Sequence, residues 1–425
     1  MAKQSKNDSR PRVVIIGGNF AGLKTALNLP QKFNATLIDK HPWFEFRPNI
    51  HELVSGIKTP AMLRFSNKAI VRRMGHRFLS GTVTQIVPGK KQVITTSGKK
   101  LRYDYCVVAI GGVTNTFGVL GAEKYALPFK NVAQCHSIGQ TLQKLSKIKR
   151  PFHIVIVGGG IEGIEALGEI LRGFRKHDGI RIRIIERAAD VESEIQEHCR
   201  PYSFESITGV VVKKITPKTV LLSNGHRLKS DVTIWTGGVK PNPILSKSCF
   251  TNTPDEWAPV QDSLQHDAYE AVFFAGDAAG VSSIHSKQAY HAIDMGVCVA
   301  ENIIRLNAGK AVKPFKPSGK PTIVSFGDLD SFVIAGETVI AGSALNGLKE
   351  VVFQMIMTEF DPSGLVMKAL HLSNRAGKMS LRKGLPLALS PSAMLKLKNV
   401  RILSQRPEKM NEKKEKFHTM ADSLR

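Results

Sequence analysis

The sequence predicts an α/β protein with two parallel-sheet units and a smaller α+β module behind them. Three observations lead there. An apolar strand, a glycine turn and a helix follow one another twice, with the turns starting at Gly17 and Gly158. A strand ending in a carboxylate comes after each helix, at Asp39 and at Glu186. A late apolar strand, residues 271–274, runs straight into Ala275-Gly276-Asp277. Alternating strands and helices, with the strands apolar along their length, is the pattern of a parallel sheet covered on both faces.

The elements follow in order. Residues 12–16 (RVVII) read as a buried strand, 23–29 as the first helix and 35–38 (ATLI) as the next strand. Residues 103–112 form a strand that closes in a glycine turn, AIGG. The second unit repeats the first: strand 152–157 (FHIVIV), glycine turn 158–163, a helix to about 175, strand 180–185. Residues 231–238 (DVTIWTGG) repeat the strand-into-glycine pattern. Residues 313–321 (KPFKPSGKP) read as a linker, followed by β-structure over 323–340 and a helix at about 345–357. The division expected is a discontinuous first unit, 1–115 and 265–312, a second unit, 116–264, and a C-terminal module, 321–425.

Composition bounds the function. A chain of 425 residues that is 42% hydrophobic and 22% charged buries a large core, which excludes global disorder. No apolar run reaches the roughly 18 residues of a membrane span, and the polar start MAKQSKNDSRPR predicts no secretory leader. The five cysteines, at 106, 135, 199, 249 and 298, have neither dithiol nor zinc spacing, so no metal site is expected and a reducing, cytoplasmic compartment fits. Sixty Lys+Arg against 35 Asp+Glu give a net charge of +25, which attracts anionic partners of any kind. Residues 363–425 alone hold 14 Lys+Arg and 4 Asp+Glu. Within them 394–403 (MLKLKNVRIL) alternates apolar and basic residues in the manner of a strand.

The glycine turns carry the chemistry. Gly158, Gly160 and Gly163 complete G-x-G-x-x-G after an apolar strand, with Glu186 placed for a ribose hydroxyl. The first turn keeps Gly17, Gly18 and Gly22, with Asp39 in the equivalent place, but Asn19 stands where the second motif glycine belongs. Asn tolerates left-handed geometry better than most residues, so the turn is expected to survive. Asp277 is placed for a cofactor hydroxyl, or for capping the helix that follows.

Together these motifs make the chain similar to the two-dinucleotide-binding-domain flavoproteins. The nearer resemblance is to type II NADH:quinone oxidoreductases and the ferroptosis-suppressor-type NAD(P)H:coenzyme Q reductases. It rests on Phe46-Arg47-Pro48-Asn49-Ile50-His51-Glu52-Leu53-Val54-Ser55-Gly56, on Gly163-Ile164-Glu165-Ala166-Leu167-Gly168-Glu169 and on Lys287-Gln288-Ala289-Tyr290-His291-Ala292. The resemblance implies two Rossmann-like domains, one for FAD and one for NAD(P)H. It assigns Gly17, Gly18, Gly22, Asp39, Ala109, Gly111, Gly276 and Asp277 to a non-covalently held FAD. It assigns Gly158, Gly160, Gly163 and Glu186 to the nicotinamide nucleotide. Glu165 would lie near the contact between flavin and nicotinamide, and Lys287 near the pyrimidine end of the flavin. Glu186 favours NADH, while Arg181, Arg183 and Arg187 leave NADPH open. Ile110 replaces the usual Thr of A-T-G, and neither Gln of the type II enzymes' A-Q-x-A-x-Q is kept.

The function expected is that of an FAD-dependent oxidoreductase: hydride from NADH to FAD, then two electrons to a quinone-type acceptor. Two alternatives stand beside it. One is a reductase of a non-quinone acceptor. The other is a basic membrane- or nucleic-acid-binding protein with a decayed flavin site, nucleic acid being the less expected partner. Sulfide:quinone reductases, also related, need a cysteine pair that only distant Cys135 and Cys298 could supply. The basic tail predicts peripheral attachment to an anionic membrane on its cytoplasmic face.

Overall fold

The computed structural model describes residues 9–187, 204–282, 287–336, 338–361 and 400–405. The first unit is a six-stranded sheet in the order Gln265–His266, Tyr269–Phe274, Tyr105–Val108, Arg12–Ile16, Asn34–Asp39, Arg77–Ser80. Its neighbours run parallel apart from the hairpin at 265–274. The second unit is a five-stranded parallel sheet in the order Ala126–Pro128, Val232–Trp235, Phe152–Val157, Ile180–Glu186, Glu205–Thr208. The strands that open the two units, Arg12–Ile16 and Phe152–Val157, lie inside their sheets. Burial on both faces is why they read as apolar runs.

The repeat reaches the level of single hydrogen bonds. The Gly17 N–H donates to the Ile38 carbonyl at 2.8 Å, and the Gly158 N–H to the Ile185 carbonyl at 2.8 Å. The helices that follow are Phe20–Asn28 and Ile161–Phe174. Each unit also carries a three-stranded antiparallel meander, Val83–Val87 with Gln92–Thr95 and Lys100–Arg102, and Val212–Ile215 with Thr219–Leu222 and Arg227–Lys229.

The chain returns to the first unit before the expected boundary at 265. Val239–Pro241 pairs with Gly112–Thr114, and Ala258–Pro259 pairs with Ala279–Gly280. The Ser248 hydroxyl accepts the Ile86 N–H at 3.0 Å, and Phe250 packs edge-on against Phe274. Residues 239–264 therefore side with the first sheet. The second sheet is already complete at Trp235, so later apolar residues find their cover elsewhere.

Among the described residues the C-terminal module is an antiparallel sheet, Thr322–Phe326, Asp330–Ala335, Thr338–Ala341 and Arg401–Gln405, and the helix Leu348–Phe360. The helix begins three residues later than the sequence pattern suggested, because Ser343–Leu345 forms a 3-10 turn ahead of Gly347. The strand expected from the alternation at 394–403 is found at Arg401–Gln405. Residues 385–389, 394–399 and 408–416 lie outside the described residues. The helix packs on the first unit through aromatic rings. Phe44 stacks on Phe65 with centroids 4.4 Å apart and on Phe360 at 4.9 Å, and Phe46 meets Phe353 edge-on at 4.9 Å. Lys24 pairs with Glu359, Lys58 with Glu350 and Arg73 with Asp361 around that patch.

Phe44 is fully buried at this seam. Phe44→Ala is expected to lower stability by about 3–5 kcal/mol, the cost of an aromatic-sized cavity. Urea unfolding followed by tryptophan fluorescence measures it. A loss under about 1 kcal/mol would show that the seam does not carry the C-terminal helix.

Candidate functional site

The two glycine turns share one geometry. Gly17 (φ +102°) and Gly158 (φ +110°) hold a backbone conformation that L side chains rarely adopt. A Cβ on Gly22 would lie 1.9 Å from the Gly17 carbonyl oxygen, and a Cβ on Gly163 would lie 1.9 Å from that of Gly158. Strand and helix thus cross backbone against backbone. Neither helix start carries a side-chain cap bond, at Asn19 or at Gly160. No N-cap side chain takes up their first amides, which suits a pyrophosphate seat.

Asn19 departs from the sequence expectation. It is extended, at φ −101°, not left-handed. In the orientation that satisfies both groups, its amide donates to the Glu45 carbonyl and accepts from Arg47 Nε, each at 3.0 Å. The positive φ that the turn needs is supplied by Gly17 alone. The side chain at 19 turns aside, so the missing glycine introduces no strain.

The strand-end carboxylates act alike. Asp39 accepts the Gly18 N–H at 2.6 Å and the His41 N–H at 2.8 Å, and Glu186 accepts the Gly159 N–H. Each carboxylate is thereby fixed beside its own glycine turn, with acceptor capacity left for ribose hydroxyls. A residue the sequence pattern did not flag joins the first turn. Asn67 is fully buried, and neither polar atom of its side chain has a hydrogen-bond partner among the described residues. Its Nδ2 would lie 2.5 Å from a Cβ on Gly18, and Asp39 Cβ is 3.3 Å from the same point. A buried amide left so costs about 1–3 kcal/mol unless a ligand satisfies it. Its place between Gly18 and Asp39 fits the ribose and pyrophosphate of a dinucleotide.

The remaining first-unit candidates surround the same edge. Ala109 contributes backbone: its carbonyl oxygen would lie 2.2 Å from a Cβ on Gly17. Gly111 (φ +64°) stands open, with nothing within 4 Å of a Cβ. The Gly276 N–H reaches Met295 Sδ at 3.1 Å, and Asp277 sits in the 3-10 turn Gly276–Ala278 without a cap bond. Gly276, Asp277, Lys287, His291 and Met295 line one cleft. Lys287 Nζ donates to the carbonyls of Asp277 (3.0 Å) and Ala279 (2.8 Å) and lies 4.2 Å from the centroid of the Trp257 ring. It anchors the loop that presents Asp277.

Three carboxylates on the second dinucleotide helix, Ile161–Phe174, divide the work. Glu162, in the first turn, pairs with Lys130 and lies within electrostatic reach of Asp277 and Arg47. The sequence pattern does not single it out. Glu165, expected near that contact, turns into the junction with the C-terminal module. It pairs with Lys349, accepts the Ser325 N–H and lies 3.4 Å from His51 Nδ1. Burial raises its pKa, with Lys349 opposing. Burial, aided by Lys349, Arg172 and Lys58, pushes His51 well below its usual value and keeps the ring neutral. Glu169, one turn further and 1% exposed, accepts from the Ser55 hydroxyl and from Arg172 Nη1 at 3.3 Å. Burial raises its pKa to about 7.

Two equivalent glycine turns, each with a strand-end carboxylate, define a protein with two dinucleotide-type seats. The family model for pyridine nucleotide-disulphide oxidoreductases matches residues 11–296, and the chain belongs to that family. Type II NADH:quinone oxidoreductases of Staphylococcus aureus and Staphylococcus haemolyticus are each 23% identical to it, over 84% of this chain and 98% of their own length. NDH2 from Plasmodium falciparum, solved in complex with NADH, superposes with a TM-score of 0.73 at 16% identity, covering 88% of this chain and 98% of that one. The sulfide:quinone oxidoreductase of Aquifex aeolicus gives 0.73 at 19% identity, covering 94% and 98%. At such identities the structural likeness shows the fold.

The raised pKa of Glu169 makes stability depend on pH. Between the ordinary carboxyl value of 4.5 and about 7, the folded protein keeps a proton that the unfolded chain has released. Rising pH therefore favours unfolding across that window, by on the order of 3 kcal/mol in total. Glu169→Gln removes the effect. The stability gap between the variant and the parent, followed by denaturant unfolding, should widen in the variant's favour from pH 4.5 to 7. A gap that stays constant with pH would contradict the assignment.

Proposed function

We propose that the chain is an FAD-dependent NADH:quinone oxidoreductase. The observation that carries this reading is the pair of equivalent glycine turns, each with a strand-end carboxylate. The matching family and the names of the Staphylococcus relatives support the donor, the cofactor and the acceptor class. Bound FAD supplies the two-electron redox chemistry. The protein's own groups bind, orient and shield. The amides that open helix Phe20–Asn28, with Asn67 and Asp39, hold the adenosine diphosphate half of the cofactor. Asp277 would take a hydroxyl of the cofactor, and Lys287 fixes the loop that carries Asp277. The amides that open helix Ile161–Phe174 and the Glu186 carboxylate would hold NADH. Lys130 balances the charge of Glu162 in the first turn of that helix.

Two of the three flanking arginines are engaged elsewhere, which leaves Arg187 beside Glu186. Arg183 is committed to Glu205, and Arg181 to the carbonyls of Asp178 and Ile180. Neither is poised for a 2′-phosphate, and Glu186 repels one. The decayed-site alternative is disfavoured by the retained turn at Gly17 and by the buried Asn67 amide. Sulfide chemistry is disfavoured as well: among the described residues Cys106, Cys135, Cys249 and Cys298 are free thiols, Cys199 lies outside them, and burial pushes the Cys135 thiol far up. Among the described residues no helix is long and apolar enough to cross a membrane. The basic tail favours peripheral attachment to an anionic membrane, with the cytoplasmic face as the expected side.

Protein purified with added FAD should be yellow and should oxidise NADH in a quinone-dependent manner. Colourless protein, or NADH oxidation that no quinone accelerates, would overturn the reading. Glu186→Ala should raise KM for NADH at least about tenfold, the loss of a charged hydrogen bond, with a smaller effect on NADPH. Steady-state kinetics with the two donors checks this, and equal effects on both would shift donor choice to other groups.

A further inference from the structure

The end of the first sheet opposite its glycine turn holds a cleft that the nucleotide seats do not use. Parallel register pairs Arg12 with Asn34, Val14 with Thr36, Thr36 with Arg77 and Ile38 with Leu79. Partners in register share a face, and so do residues two apart along a strand. Arg12, Val14, Asn34, Thr36, Arg77 and Leu79 therefore look to the same side. Lys99, Leu101 and Arg102, at the last strand of the meander, complete a cleft of about 300 Å³, the lower end of the size of small-molecule sites. Val14 is buried, and Thr36, Leu79 and Leu101 are half-buried, while Arg12, Arg77, Lys99 and Arg102 are exposed. A largely apolar floor thus carries a cationic rim.

Most of the rim charge is not cancelled. Arg12 pairs with Asp104. Arg77 donates to the Asn34 side-chain carbonyl, a neutral group, from Nε at 3.2 Å and from Nη2 at 2.5 Å. Among the described residues Lys99 and Arg102 have no carboxylate partner, and no Asp or Glu lines the cleft.

The second unit provides an internal comparison. In both units an aspartate clasps the opening strand. The Asp104 N–H donates to the Arg12 carbonyl at 2.9 Å, and the Asp231 N–H to the His153 carbonyl at 2.8 Å. The two carboxylates accept the N–H of Arg12 at 2.7 Å and of His153 at 3.0 Å. Arg12 thus corresponds to His153, and register then matches Thr36 with Arg183 and Arg77 with Glu205. In the second unit those two positions neutralise each other, Arg183 Nε donating to Glu205 at 2.6 Å. The first unit has a small hydroxyl and an arginine there, which leaves space and positive charge.

We propose that this cleft binds a phosphate monoester with a small apolar body. Guanidinium N–H forks match phosphate oxygens. Three cations without a carboxylate partner favour a dianion over the single charge of a carboxylate. Val14, Leu79 and Leu101 cover the apolar body. The apolar atoms lie on the floor of a recess and not on its rim, so a free small molecule fits and a flat bilayer surface does not. Binding at this end of the sheet stands apart from the proposed redox reaction.

Calorimetric titration of the FAD-loaded protein with monohexyl phosphate tests this, with inorganic phosphate, hexanoate and hexanol for comparison. One site per chain is expected, with hexyl phosphate bound at least about tenfold more tightly than any of the other three. Arg77→Gln should weaken that binding about tenfold or more, the loss of a charged hydrogen bond. Thr36→Arg combined with Arg77→Glu, which installs the pair of the second unit, should abolish it. Lys99→Gln, a change at an exposed position outside the sheet, should weaken it by a smaller factor. Bound flavin should stay at the parent level in all three variants. No binding of hexyl phosphate, or inorganic phosphate, hexanoate or hexanol bound as tightly, would overturn the proposal. So would hexyl phosphate binding that survives the combined Thr36→Arg and Arg77→Glu change, which would put the site elsewhere. Binding to phosphatidylglycerol vesicles that Arg77→Gln removes, with no uptake of hexyl phosphate, would make the rim a membrane contact and overturn it as well.

Discussion

The close crossing of strand and helix at the two glycine turns is the constraint on which the rest depends. A carbonyl oxygen 1.9 Å from where a Cβ would stand leaves room only for glycine at 22 and 163. That crossing aims the helix N-terminus at the sheet edge. It also brings the second turn residue, Gly18 or Gly159, under the carboxylate of the next strand. One backbone arrangement therefore produces both the anion seat and the ribose acceptor. Made twice in one chain, it produces two such seats.

The junction with the C-terminal module builds on that frame. Helix Ile161–Phe174 turns Glu165 and Glu169 to the seam with His51, Ser55 and Lys349. The seam is held by aromatic stacking at Phe44, Phe46, Phe353 and Phe360 and by the ion pair of Lys349 with Glu165. Placing that pair in an apolar setting is costly unless each member is fully partnered. Glu165 is partnered by Lys349 and the Ser325 N–H, so it ties the second unit to the C-terminal module.

Much of this was legible in the sequence, because the repeat is local. Glycines at fixed offsets, an apolar run before them and a carboxylate after the next strand are all set by the geometry of one βαβ unit. They marked Gly17, Gly22, Asp39, Gly158, Gly163 and Glu186 correctly as turn and strand-end positions. Asn67 was not legible: its role comes from a contact with Gly18, 49 positions away, that only the folded sheet creates. Lys349 and His51 escaped for the same reason, since they meet Glu165 across three modules. Glu162 had a signal that was available, a carboxylate inside the motif where it would face a pyrophosphate unless a cation such as Lys130 balanced it. Asn19 was read with the right outcome and the wrong mechanism, because propensity does not say which residue of a turn bears the positive φ.

The account's central claim is that the two nucleotides meet across one cleft, close enough for direct hydride transfer. Anaerobic mixing of the FAD-loaded protein with NADH carrying deuterium at the transferred position of C4 tests it most directly. Direct transfer predicts loss of the oxidised flavin absorbance in a single phase that deuterium slows, with the label leaving the nicotinamide. A flavin that stays oxidised under saturating NADH would contradict it.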